Sequence, residues 1–175
     1  METLTDPAYT DNLEGLDLKE LRGRRDRCSE AEVGLSYARR IVHGRLDIVG
    51  AERQRRLGVE TGETGPGTSL VERLPAILAE HVHAPGNGRL PQILAPAEVD
   101  LGASNTLDLI APLSKIGSIG DLPNDELDQI EARLVEFEKQ VSEQRRELHR
   151  VIDRLQEEVI RRYRSGEADV NDLLR

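Results

Sequence analysis

The sequence predicts an all-α protein, an antiparallel two-helix coiled-coil hairpin with a long irregular connection. Three observations carry that expectation. Leu21, Cys28, Leu35, Val42 and Val49 recur every seven residues, and Leu127, Leu134, Val141, Leu148 and Leu155 repeat the series 106 positions later. A seven-residue apolar period is the seam of a coiled coil. Aromatic residues make up only 2% of the 175 and charged residues 33%, which leaves little material for a thick globular core.

Each element can be placed in order. Residues 1–16 read as a flexible tail. The first long helix takes 17–57, because Asp17 with Glu20 forms a capping-box pattern and Gly58 with Gly62 stops the run. At 1.5 Å per residue, a helix of about 40 residues is roughly 60 Å long. Leu46 and Ile152 widen the apolar seam. Residues 58–122 form the connection, since 59–121 holds six of the eight prolines and eight of the fifteen glycines. Within it, residues 70–83 have helical spacing and are a candidate short helix. The second long helix takes 123–165, with Asn124 capping it after Pro123 and Gly166 ending it. Residues 166–175 read as a second tail.

Superimposed on the seam is a repeated polar stripe. Glu32, Ser36, Arg39, His43 and Asp47 are followed 106 residues later by Glu138, Ser142, Arg145, His149 and Asp153. Chance would give such a second copy on the order of once in several thousand chains of this composition, so duplication explains it better. Spacings of 4, 3, 4 and 4 keep the five side chains within about 80° of a helix surface. Glu32, Arg39, Glu138 and Arg145 interrupt the seam where apolar residues would have continued it. A single such stripe is usually a solvated face with ion pairs; two matching copies point to a pair of equivalent surfaces, suited to a twofold-symmetric ligand.

Composition narrows the chemistry. A formal charge of −9 disfavours generic binding to nucleic acid or anionic membranes. No apolar run approaches the ~20 residues a membrane span needs, and no signal segment follows Met1, so a cytoplasmic protein is expected. Arginines nevertheless gather beside each stripe: Arg39, Arg40, Arg45, Arg53, Arg55 and Arg56, then Arg145, Arg146, Arg150 and Arg154. Such clusters suit a small anion. Arginine can pair with guanine O6 and N7 or stack on the base. Glu and Asp accept from the guanine N1 and N2 donors, and Ser and His donate to phosphate or ribose oxygens. Two stripes thus suit two guanines attached to phosphate, although the same groups also serve structural ion-pair networks.

The pattern E-x3-S-x2-R-x3-H-x3-D, within EVGLSYARRIVHGRLDIV and VSEQRRELHRVIDRLQ, resembles the cyclic di-GMP signature E-x3-S-x2-R-x3-Q-x3-D of the RsiG anti-sigma factors of actinobacteria. The resemblance covers both long helices. It implies an antiparallel hairpin that binds cyclic di-GMP, as a stacked pair of molecules, through all ten stripe residues. It further implies that the loaded protein sequesters a sporulation sigma factor resembling the flagellar class and blocks its transcription. His43 and His149 stand where the signature has Gln. Both residue types donate hydrogen bonds, but only histidine can gain charge near neutral pH.

Other features point elsewhere. The run GETGPGTS at 62–69 lacks the Gly-Lys-Ser/Thr ending of a phosphate loop and reads as linker. His81 and His83 have no further ligands at zinc-like spacing, so no metal is expected. Cys28 lies on the seam as a small buried filler. Tyr37, Ile41 and Ile48 project away from stripe and seam and are candidates for partner contact or for packing against the connection. An enzyme is disfavoured, because no nucleophile with a base accompanies the stripes. A coiled-coil adaptor without a nucleotide is the remaining alternative.

Overall fold

A computed structural model describes residues 2–58, 74–75 and 101–167. The described elements are helical: α1 (Glu2–Thr5), α2 (Leu18–Arg56), α3 (Leu101–Ile110), α4 (Leu113–Gly117) and α5 (Asn124–Ser165), with 3-10 turns at Pro7–Thr10, Leu13–Gly15 and Ile119–Asp121. The chain divides into two compact units, Met1–Ser36 with Gln140–Arg175, and Tyr37–Lys139. Each long helix contributes one segment to each unit.

In unit 1 the helices run antiparallel: Arg22 bonds to Tyr163, Arg25 to Gln156 and Arg145 to Glu32. Unit 2 repeats this order, with Arg39 bonded to Glu138, Arg53 to Glu131 and Arg56 to Asn124. The expected helical hairpin is therefore formed. All ten seam residues are buried, none more than 5% exposed. Full burial of a Leu or Val side chain contributes ~1.5–3 kcal/mol, against ~0–1 for an exposed ion pair. The seam, not the stripes, holds the helices together.

Helix ends follow local chemistry. Asp17 Oδ1 accepts from the Glu20 amide at 2.6 Å, as the capping pattern requires. Gly58 has φ 69° and Gly166 φ 77°, left-handed conformations in which glycine stops a helix without strain. Asn124 instead begins α5, and its side-chain oxygen accepts from Arg56 Nη1 at 2.5 Å.

Two regions differ from expectation. Residues 1–16, read as a tail, contain the first two 3-10 turns, with Thr10 only 3% exposed. Irregular backbone needs donors for its carbonyls, and arginines from distant parts of unit 1 supply them. Arg24 reaches Tyr9 O and lies over the Tyr9 ring, and Arg162 takes the carbonyls of Leu13, Glu14 and Leu16. Periodicity carries no trace of such contacts. The connection likewise ends in structure: Leu107, Ile110, Ala111, Ile116 and Ile119 join Val42, Val49, Leu127, Ile130 and Leu134 in the core of unit 2. Gly117 and Gly120, counted as breakers, sit in α4 and in the following 3-10 turn. The candidate helix at 70–83 lies outside the described residues, apart from Leu74 and Pro75.

Candidate functional site

The two stripes meet in cross-helix clusters, one in each unit. In unit 1, Glu32 Oε1 accepts from Arg145 Nε at 2.8 Å and from Ser36 Oγ at 2.7 Å, with His149 Nε2 at 3.2 Å. In unit 2, Glu138 Oε1 accepts from Arg39 Nε at 3.0 Å, with His43 Nε2 at 3.3 Å. Each motif is thus completed by the other. Motif 1 supplies Glu32 and Ser36 to unit 1 and Arg39, His43 and Asp47 to unit 2, while motif 2 supplies Glu138 to unit 2 and Ser142, Arg145, His149 and Asp153 to unit 1. Asp153 is exposed, and Asp47 and Ser142 are half-buried and partnered.

The electrostatics match this geometry. Burial pushes the Glu32 carboxyl upward, but the hydrogen bonds from Ser36 and Arg145 and the nearby His149 outweigh it, so the group lies below the usual range. Arg39 and Arg145 use Nε, the inner guanidinium nitrogen, toward the carboxylates, and their side chains remain 40% and 34% exposed. A carboxylate, a guanidinium and an imidazole converge in each unit on a partly exposed surface. The polar stretch of the seam is therefore internally satisfied.

Several arginines of the broader clusters are engaged by the fold itself. Arg45 is buried and donates through Nη1 to Leu107 O and Ala111 O at 2.6 and 2.8 Å, and through Nη2 to Asp108 at 2.6 Å. It closes the C-terminal end of α3, where free carbonyls attract a cation. Arg53 pairs with Asp128 and Glu131, Arg55 and Arg56 with Glu52, and Arg154 reaches Thr10 O. Arg39 and Arg145 are the members that face the stripe carboxylates. Ile41 and Ile48 are partly buried and pack against the core that α3 and α4 complete, the second of the two expected readings. Their spacing placed them off the seam; the residues they pack against lie far along the chain. His81 and His83 lie outside the described residues.

A family model described as RsiG-like matches residues 7–78 and 115–175. The chain belongs to the RsiG-like family. The two matched stretches contain one stripe each, so this is the two-motif form, and the interval between them contains α3. RsiG-like proteins are anti-sigma factors, regulators and not enzymes, whose partner is a sigma factor. Comparison with curated proteins finds no match. Among the described residues, no helix is long and apolar enough to cross a membrane.

Proposed function

We propose that this RsiG-like chain is a cytoplasmic anti-sigma factor gated by cyclic di-GMP. When loaded it would sequester a sigma factor of the sporulation and flagellar type and silence its promoters. The observation that carries the reading is the pair of clusters in which Glu32 meets Arg145 and His149, and Glu138 meets Arg39 and His43. Membership of the family supports the partner class.

The mechanism is an exchange of partners. In the free protein each glutamate is held by the arginine and histidine of the other motif. A guanine offers its N1 and N2 donors to the glutamate and its O6 and N7 acceptors to the arginine, so it replaces both halves of the ion pair. The histidines and serines then turn to phosphate and ribose oxygens, with Asp47 and Asp153 as further acceptors for a second guanine. Two guanines at each cluster, four in all, are what two molecules present. These pairs are partly exposed, where such interactions contribute ~0–1 kcal/mol, so breaking them costs little against a guanine–arginine fork worth ~1–3 kcal/mol.

Calorimetric titration tests this. Cyclic di-GMP should bind, and cyclic di-AMP, which presents a donor where guanine has O6, should bind far more weakly. Arg39→Ala or Arg145→Ala should each lose about 1–3 kcal/mol of binding with helicity retained, and Arg→Lys should not restore it, for lack of the planar fork. Equal affinity for the two nucleotides would remove the guanine assignment. Absence of binding heat and of competition by either nucleotide would leave the coiled-coil adaptor.

A further inference from the structure

A short loop ordinarily fixes the register of a helical hairpin. Here 67 residues separate Arg56, the last of α2, from Asn124, the first of α5 (124 − 56 − 1 = 67), and closure of so long a loop constrains its ends weakly. A seam with a seven-residue period is then degenerate. A slide of one heptad, about 10 Å at 1.5 Å per residue, returns apolar residues to apolar partners. Chain closure alone does not choose among these registers, so particular side-chain contacts must.

The same device stands at the end of each long helix. Glu52, Arg55 and Arg56 are matched 106 residues later by Glu158, Arg161 and Arg162. In unit 2 the buried Glu52 binds Arg55 and Arg56 at 2.7 Å each, and Arg56 Nη2 donates to Ile119 O at 3.0 Å and Gly120 O at 3.4 Å. In unit 1 Glu158 binds Arg161 and Arg162 at 2.8 Å, and Arg162 donates to Leu16 O, Leu13 O and Glu14 O at 2.6, 2.7 and 3.2 Å. The gripped turns correspond as well, since Leu13–Gly15 precedes α2 and Ile119–Asp121, 106 residues on, precedes α5. In each unit, then, the end of one long helix holds the start of the other. The glutamate fixes the guanidinium through Nε and aims its outer nitrogens at the carbonyls, which a flexible ammonium could not do as well.

We propose that Glu52 with Arg56, and Glu158 with Arg162, are register clamps: positioning residues that select the one heptad setting in which Glu32 opposes Arg145 in unit 1 and Glu138 opposes Arg39 in unit 2. The inference stands apart from the nucleotide reading, because its readout is the pairing itself. Spin labels placed at the exposed positions Asp26 on α2 and Glu157 on α5 report the register within unit 1. The full chain should give one narrow distance, and Arg162→Ala should add a population displaced by about one heptad, roughly 10 Å. A double-mutant cycle on Glu32→Gln and Arg145→Met gives a second readout. Its coupling, on the order of two- to tenfold in the folding constant, should diminish in the Arg162→Ala background in step with the displaced population. Should Arg162→Ala not fold, Arg162→Lys retains the charge without the fork and should show the same redistribution. A single unchanged distance with undiminished coupling, in a variant that is merely less stable, would overturn the proposal.

Discussion

Position 45 of α2 is an arginine, and position 151, its counterpart 106 residues later in α5, is a valine. Around these two sites the units share nearly everything: a glutamate–arginine–histidine cluster, a buried seam drawn from the same duplicated apolar series, and a glutamate–arginine grip on a 3-10 turn. They differ in what lies on top. In unit 2, Arg45 anchors α3 and the core gains Leu107, Ile110 and Ala111; in unit 1, Val151 is a buried apolar residue and the 3-10 turns of 7–15 are held by Arg24, Arg154 and Arg162. The duplicated features are those with paired chemistry. The unduplicated one gives a repeated molecule a distinct face, and α3 lies outside the segments that match the family.

The comparison breaks most readily at the seam. Leu134 and Cys28 are equivalent and both fully buried. Leu134→Ala should cost ~2–5 kcal/mol, whereas Cys28→Ala, which removes one sulfur, should cost ~1 kcal/mol. Denaturant midpoints of the two variants measure the difference, and equal losses would deny the seams a common energetic role. Next comes Arg45→Met, which takes the guanidinium donor from Ala111 O and Asp108 and one of two donors from Leu107 O, and should cost about 2–4 kcal/mol. Hydrogen exchange should show α3 released while amides of 18–36 stay protected. Val151→Ala should cost ~1 kcal/mol and release nothing.

Acid should act on the clamps. The hydrogen bonds from Arg161 and Arg162 hold the Glu158 carboxyl down at about 2, against an ordinary value of 4.5. A depressed folded-state value means that its contribution is complete above about 4.5 and is lost as the pH falls toward 2. Wild type should therefore exceed Glu158→Gln in stability at pH 7 by a margin that shrinks below pH 4.5. Glu52, lowered first by its hydrogen bond from Arg55, should behave in the same direction. A margin constant from pH 7 to 2.5 would exclude the carboxylate as the clamp's charge. The smallest effect belongs to His43→Gln and His149→Gln, which restore the residue of the family signature and keep a donor. Nucleotide affinity at pH 8 should change by less than about threefold, or ~0.7 kcal/mol.

Much of this was legible. The seam residues and the antiparallel pairing followed from a seven-residue period, because a long helix with one apolar face has few other ways to bury it. The duplication made the ten stripe residues recognisable as one set, and at the same offset Glu158 and Arg162 repeat Glu52 and Arg56; which glutamate meets which arginine did not follow from it. What periodicity could not reach was contact made by backbone. Arg45, Arg56 and Arg162 grip carbonyls of segments that have no pattern of their own, and a carbonyl has no letter in the sequence. The prolines and glycines of 59–121 said nothing of the last turns before α5, where Leu107 and Ile119 are buried.

The central claim is that ligand exchange in the Glu–Arg–His clusters controls capture of a sigma factor. The most direct measurement is the affinity of the purified full chain for a sporulation or flagellar-type sigma factor, with and without saturating cyclic di-GMP, in wild type and in the Arg39→Ala, Arg145→Ala double variant. The account predicts tight capture only for wild type with nucleotide, and an equal reciprocal gain in nucleotide affinity when the sigma factor is present, each tenfold step being ~1.4 kcal/mol. Equally tight capture by nucleotide-free wild type would contradict the gate.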